Sequence, residues 1–173
     1  HFFLKALPLV LKKYPDVEVR IAGFDFTYSN NGFINRLKRS GYGKIIRKMI
    51  RKNNLDSHID FLGQLNAEEM KAEYLRSNVF ICSSTCENSP NSLCEAQLLG
   101  TPCLASYVGG VPDTVMGDNN YFYQYDNSNL LAYKIISLFE NENIETSIMS
   151  EKVRKRHCID TIAQTVFSIY DKK

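Results

Sequence analysis

Two glutamates in one short stretch of the chain, Glu87 and Glu95, are the side chains best suited to do chemistry. They lie eight positions apart, and a polar turn and a predicted helix start separate them. Carboxylates accept hydrogen bonds from hydroxyl groups, such as those of a ribose or a sugar ring. A helix N-terminus offers free N–H groups and a partial positive charge, which favour a phosphate. Acceptors for hydroxyls beside donors for phosphate therefore predict a nucleotide-sugar site.

The apolar pattern predicts the elements that position these glutamates. Residues 79–82 form a short apolar run, typical of a buried parallel strand. A helix is predicted to begin near Pro90, because proline suits the first helical position, and to stop at Gly100. In a doubly wound sheet, ligands bind at the loops that follow the carboxyl ends of the strands. This order places Glu87 on such a loop and Glu95 in the first turns of the helix.

Two other interpretations of this stretch remain open from the residues alone. Ser92 and Glu95 have the spacing of a capping box, in which the Glu95 carboxylate would only fold back on the helix start. Cys86, next to Glu87, raises the alternative of a thiol nucleophile. No histidine lies in a related motif, so a cysteine–histidine pair is the less favoured interpretation.

The same stretch resembles the E-x7-E signature of the retaining glycosyltransferases of family four, the glycosyltransferase group 1 domain. The matching residues read Glu-x-x-Pro-Asn-Ser-x-x-Glu-Ala over 87–96, followed by Gly-Thr-Pro at 100–102. The resemblance extends upstream to 21–23 and 59–63 and downstream to 105–113. In order and spacing, these segments cover nearly the whole chain.

The resemblance implies a role for each site residue. Glu87 would contact hydroxyls of the transferred sugar and help to hold its anomeric carbon, which makes it the catalytic candidate. Glu95 would accept hydrogen bonds from the two ribose hydroxyls. Gly23 would let a loop pass close to the donor, although a longer polar-aromatic loop over 24–32 follows it here. Backbone N–H groups donating to the sugar or the diphosphate are expected at Asn88, Ser89, Asn91, Ser92 and Leu93.

The alternation of helices with five to six short strands predicts an α/β fold, a Rossmann-like three-layer sandwich with a mainly parallel sheet. By resemblance this is one half of a GT-B fold, the C-terminal donor-binding half. Residues 1–173 are interpreted as a single nucleotide-sugar-binding domain. Because the chain opens on His1 within a helical pattern, it is interpreted as a fragment that lacks its N-terminal acceptor domain. Such a fragment is expected to be inactive alone.

Composition and charge exclude several classes of function. The net charge of +2 gives no argument for a nucleic acid partner, and no apolar run approaches the roughly 18 residues of a membrane span. Five cysteines without a C-x-x-C pair indicate neither a zinc site nor a disulfide framework, so a reducing, cytoplasmic compartment is expected. Residues 33–53 are basic and helical in pattern. A solvated face is the favoured interpretation of this helix, and peripheral contact with anionic lipid headgroups is the alternative.

The predicted function is transfer of a hexose from a nucleoside-diphosphate sugar to a glycan or lipid-linked acceptor, in surface polysaccharide synthesis. No cofactor and no metal are expected: the chain has no Asp-x-Asp motif to bridge a diphosphate through a metal, and GT-B enzymes are usually metal-independent. The alternatives are a GT-B nucleotide-sugar 2-epimerase and a non-catalytic nucleotide-sugar-binding module. The Pro-Asn-Ser-x-x-Glu-Ala run favours the transferase over the epimerase, and the intact glutamate pair argues against the module.

Overall fold

Short parallel strands alternate with helices along the chain. The computed structural model describes residues 1–23, 41–114, 121–141 and 144–171. The strands are β1 (Val19–Ala22), β2 (Ile59–Gly63), β3 (Phe80–Cys82), β4 (Cys103–Ser106) and β5 (Phe122–Tyr123). The helices are α1 (Phe2–Leu11), α2 (Gly41–Lys52), α3 (Ala67–Arg76), α4 (Asn91–Leu98), α5 (Val111–Thr114), α6 (Ser128–Glu140), α7 (Ser147–Arg156) and α8 (Ile159–Tyr170).

The chain divides into two compact units, and the first consists of residues 1–70 and 126–136. In it, β1 and β2 form a parallel ladder that begins with Val19 opposite Ile59. Pro8 lies inside α1 rather than in its first turn, so the helix lacks one backbone donor there. A buried apolar cluster joins α1, α2 and the turn after α2, and its members are Leu4, Leu7, Ile46, Ile50 and Leu55.

The second unit consists of residues 71–125 and 137–173. Its sheet is a parallel ladder in the order β3-β4-β5, and all four residues of the central strand β4 are buried. Burial on both faces explains why this strand reads as an unbroken run of small or apolar residues rather than an alternating pattern. Helix α4 packs against α7, where Ser150 Oγ donates a hydrogen bond to the Leu98 carbonyl at 2.7 Å.

The predicted α/β class with parallel strands is confirmed. The described residues contain five strands, paired in one ladder of two and one of three. The spacing of Asn66 and Glu69 predicts a capping box at the start of α3. It is present, because the two residues exchange side-chain-to-backbone hydrogen bonds of 2.8 and 3.0 Å. Ile159, Ile162, Val166 and Phe167 recur at helical spacing and predict a final helix. It is found as α8, but none of its residues is buried. Helix α7 was not predicted, because its few apolar residues are interrupted by charges.

The basic helix differs from its prediction in one respect. The sequence predicts that the helical pattern over 33–53 is broken at residues 41–43. The structure instead places Gly41 and Gly43 in the first turn of α2. The rest of the predicted helix, over 33–40, and the loop over 24–32 lie outside the described residues. Among the helices that the structure describes, none has both the length and the apolar content needed to cross a bilayer.

Candidate functional site

Glu87 lies on the loop from β3 to α4 and Glu95 lies within α4, and both belong to the second unit. Pro90 has an extended backbone (φ −72°, ψ 107°) and caps a helix that begins at Asn91, one residue later than predicted. Ser92 is therefore the second helical residue and not the N-cap. A capping box needs its serine at the N-cap and its glutamate three residues later, so Ser92 and Glu95 do not form one.

Glu95 is held by a tyrosine instead. The Tyr74 hydroxyl, which comes from α3, donates a hydrogen bond to Glu95 Oε2 at 3.1 Å. Tyr74 is only 4% exposed whereas Glu95 is exposed, so the donor approaches the carboxylate from the protein interior. Burial, and then the nearby Glu95 carboxylate, raise the pKa of the Tyr74 phenol. The phenol thus stays protonated at neutral pH and acts as a donor.

The backbone and ring of Tyr74 are fixed independently of that hydroxyl. Thr101 Oγ1 donates to the Tyr74 carbonyl at 2.9 Å, and the Tyr74 ring packs edge-on against Phe80 with centroids 5.4 Å apart. Among the described residues, no hydrogen-bond partner is found for Glu95 Oε1. One carboxylate oxygen is therefore positioned by the protein and the other is left to accept hydrogen bonds from a ligand.

Glu87 is half-buried and is positioned in a similar way. Ser84 Oγ donates to Glu87 Oε1 at 2.8 Å, across the turn that follows β3. The Ser84 carbonyl in turn accepts a hydrogen bond of 2.5 Å from the hydroxyl of Ser106, which is fully buried at the end of β4. A short polar chain therefore ties the Glu87 carboxylate to the central strand of the sheet.

Two glycines after β4 bring a second loop against Glu87. The Gly110 N–H donates to the Glu87 carbonyl at 3.3 Å. A Cβ at Gly109 would overlap the Glu87 carbonyl oxygen, and a Cβ at Gly110 would overlap that of Asn88. Gly109 also has a φ of +48°, which side chains rarely adopt. The two loops thus pack backbone to backbone, an approach that only glycine permits.

The other predicted residues of the loop and the helix start differ in whether solvent reaches them. Asn88, Ser89 and Asn91 are exposed, and Ser92 is half-buried. Leu93 is fully buried, and its N–H already donates to the Pro90 carbonyl at 3.1 Å. The amides of Asn91 and Ser92 precede this first helical hydrogen bond, so they are better placed than that of Leu93 to bind a phosphate.

Gly23, the remaining predicted residue, lies in the first unit at the end of β1. Its φ of +119° suits glycine alone, and its N–H donates to the Gly63 carbonyl at 2.7 Å. Its expected closeness to a donor therefore stays a prediction.

The interpretation of Cys86 as a nucleophile gains no support from the structure. Cys86 is exposed, and the other cysteines of the second sheet and of α4 are buried hydrophobes: burial raises the pKa of the Cys82, Cys94 and Cys103 thiols. Within the described ranges, no group of three histidine, cysteine or acidic side chains is arranged to hold a metal ion. The expectation of metal independence stays a prediction.

Sequence reasoning missed four residues that position the glutamates. The signal for Gly109 and Gly110 was available, since paired glycines after a strand indicate close approach of another backbone. Ser84, three residues before Glu87, has the spacing of a local side-chain contact. Tyr74 has no sequence signal of this kind, because it lies 21 residues from Glu95.

The site and the fold together define a class of protein. The family described as glycosyl transferases group 1 matches residues 1–156 of the chain. The chain therefore belongs to this family, as the E-x7-E resemblance predicted. Its fold is that of one half of a GT-B glycosyltransferase, because solved structures of that class superimpose on essentially the whole chain.

Three relatives illustrate the likeness. Spore coat protein SA of Bacillus subtilis (strain 168) is 24% identical over 180 residues, covering 99% of this chain and 45% of that protein. The N-acetyl-alpha-D-glucosaminyl L-malate synthase of Bacillus anthracis is 28% identical over 112 residues, covering 64% of this chain and 28% of the enzyme. HepE from Anabaena, solved in complex with UDP, has a TM-score of 0.77 at 22% identity and covers 100% of this chain and 45% of that chain. The chain spans less than half the length of each relative.

Proposed function

We propose that this chain binds the donor of a retaining glycosyltransferase that moves a hexose from a nucleoside-diphosphate sugar. The observation that supports this most directly is that the protein positions both carboxylates in the same way. Each glutamate has one oxygen fixed from within the protein by a hydroxyl donor, Ser84 for Glu87 and Tyr74 for Glu95. Both lie on one loop and helix start, beside amides that precede the first helical hydrogen bond.

The proposed roles follow the chemistry of the groups. Glu95 accepts from the ribose hydroxyls, and Glu87 accepts from hydroxyls of the sugar being transferred. The amides of Asn91 and Ser92 donate to the diphosphate, aided by the partial positive charge of the helix start. As the glycosidic bond to the donor phosphate breaks, negative charge grows on the leaving diphosphate. Donors that are already oriented stabilise that charge without reorganising, which is the larger part of such catalysis.

The proposal also covers the base of the donor and the acceptor. HepE was solved with UDP and also with UDP-glucose, so a uridine donor is the first candidate. We propose a glycan or lipid-linked acceptor in surface polysaccharide synthesis, bound by parts of the intact protein beyond this chain. Nothing among the described residues favours the epimerase or the non-catalytic module over the transferase.

A titration with nucleotide sugars tests this function. UDP-glucose, UDP-N-acetylglucosamine and GDP-mannose would be added in turn to isotope-labelled intact protein while backbone amide shifts are recorded. We expect one of them to shift amides within 83–95, with smaller changes when the sugar is omitted. No response to any member of the panel contradicts the proposal. A sugar epimerised without an acceptor would favour the 2-epimerase, and unaltered transfer by a variant lacking Glu87 would favour the non-catalytic module.

Replacing Tyr74 with phenylalanine should weaken donor binding without impairing the chemical step. The change removes the hydroxyl that positions Glu95 but keeps the ring against Phe80. Such a hydrogen bond to a carboxylate contributes about 1.5–3 kcal/mol to holding that carboxylate in place. Because only part of this free energy is expressed in donor binding, we expect KM for the donor to rise by roughly three- to 10-fold while kcat changes little. Steady-state kinetics measure both constants.

The matched control for that variant is Tyr170→Phe, which removes the same hydroxyl from an exposed position on α8. It should leave KM unchanged. A fall in kcat for Tyr74→Phe with KM unaffected would show that Tyr74 does not act through donor binding.

A further inference from the structure

The solvent side of α2 carries five cations and no acid. Lys44, Lys48, Arg51 and Lys52 are exposed and Arg47 is half-buried, while Gly43, Ile46 and Ile50 face the interior. Their spacing of three and four residues places all five on one face of the helix, called here the cationic face. In the part of the chain that the structure describes, no ion pair or hydrogen bond is found for any of the five cationic side chains.

Charge is strongly segregated toward this part of the sequence. Residues 26–55 contain eight lysines and arginines and no aspartate or glutamate. Without those eight, the chain keeps 13 of its 21 cations against 19 acids, a net charge of −6. The overall charge of +2 is therefore the sum of a basic segment with a charge of +8 and a remainder with a charge of −6. A random solvated surface mixes both signs, so this segregation indicates an anionic partner.

The members of the cationic face repel one another. Lys44 and Lys48, Arg47 and Arg51, and Lys48 and Lys52 are like-charged pairs at i,i+4, an arrangement that destabilises a helix. Only the last two cations gain from lying near the helix C-terminus. A dense layer of negative charge would convert this repulsion into attraction.

An apolar side chain distinguishes between the anionic partners. Ile45 is 55% exposed and lies next to Lys48 and Lys52 around the helix. An aliphatic group beside a row of cations suits a bilayer interface, where it enters the acyl boundary while the cations meet the headgroups. Phosphates of a nucleic acid would use the cations but would gain little from an exposed isoleucine.

We propose that the cationic face of α2 docks the protein on a bilayer rich in anionic headgroups. Sequence alone favours a solvated face for this helix. The structure adds that the five cationic side chains have no partner among the described residues, and that Ile45 is exposed beside them. The cationic face belongs to the first unit and both glutamates belong to the second, and the proposal does not depend on the proposed function.

Vesicle co-sedimentation tests the docking surface. The intact protein would be mixed with vesicles of phosphatidylcholine alone or with about one third phosphatidylglycerol at near-physiological salt. We expect binding only to the anionic vesicles. Each neutralised cation should lower the partition coefficient about fivefold, so the charge reversal Lys48→Glu with Arg51→Glu should lower it by well over 25-fold. Ile45→Ser should also weaken it, by roughly three- to tenfold.

The matched control is Lys152→Glu with Lys155→Glu, which makes the same charge change at exposed positions of α7. A parallel titration with duplex DNA uses the same variants. Circular dichroism and donor affinity should be unchanged in all of them. The proposal is overturned if the α7 variant loses as much vesicle binding as the α2 variant, or if the protein binds both vesicle types equally. DNA binding that needs the α2 cations but is indifferent to Ile45→Ser, without binding to anionic vesicles, also overturns it.

Discussion

Replacing Gly110 with alanine should lower kcat/KM for sugar transfer by about 100-fold or more in the intact protein. The added Cβ would overlap the Asn88 carbonyl oxygen, a backbone atom that can move away only if the whole 87–88 turn shifts. That turn carries Glu87 and receives the Gly110 N–H on its carbonyl. A displacement of about 1 Å in a catalytic group is enough for a loss of this size.

The measurement is steady-state transfer alongside a thermal melt. Gly41→Ala is the matched control, because a Cβ there meets no atom of the described residues within 4 Å and Gly41 lies in the first turn of α2. It should keep activity and melting temperature. If Gly110→Ala also lowers the melting temperature, affinity for the nucleoside diphosphate distinguishes a local shift of the 87–88 turn from general unfolding. After a local shift this affinity should be kept, because Glu95 should still bind the ribose. Activity within about threefold of the unmodified protein would contradict the proposed packing of the two loops.

Glu87→Gln should lower kcat/KM by roughly 10- to 150-fold. Glutamine keeps the size of the side chain and can still accept from Ser84, but it loses the charge that strengthens hydrogen bonds to sugar hydroxyls. A hydrogen bond to a charged group is worth about 1.5–3 kcal/mol, which sets this range. The affinity for a nucleoside diphosphate without sugar should not change. Initial rates with the preferred donor, together with binding of the free diphosphate, measure both effects.

Glu151→Gln makes the same substitution at an exposed position of α7 and should leave transfer unaltered. Ser84→Ala should have a smaller effect than Glu87→Gln, because it frees the carboxylate without removing it. Transfer that survives Glu87→Gln at full rate is inconsistent with a role for this carboxylate at the sugar.

The sequence was most informative where local rules determine the structure. The capping box at Asn66 and Glu69 and the stop at Gly100, which has a φ of +76°, were predicted because both depend on neighbours in the chain. The apolar run over 79–82 was predicted to form a strand and is found as β3 (Phe80–Cys82), because a short unbroken apolar run is typical of a parallel strand. The placement of Glu87 and Glu95 on one loop and helix start followed from the same local patterns.

What could not be predicted depends on contacts between distant residues. The choice between a capping box and an available carboxylate at Glu95 was settled by Tyr74 and by the helix beginning at Asn91. The support that Ser106 gives to the Glu87 turn crosses 22 residues of chain. Likewise, Ile45 is exposed beside the cations of α2 because the opposite face of that helix packs against the protein. The charge pattern alone did not predict which face would pack.

The most direct test of the donor site is calorimetric titration of UDP and of UDP-glucose, or of the pair that the panel selects, into three proteins. These are the unmodified protein, Glu87→Gln and Glu95→Gln. We expect Glu95→Gln to weaken both ligands by the same factor, about 10-fold or more, because both contain the ribose. Glu87→Gln should leave UDP unchanged and remove the additional affinity that glucose confers. Loss of UDP binding in Glu87→Gln, or no change for either ligand in Glu95→Gln, would contradict the assignment of ribose and sugar to the two acids.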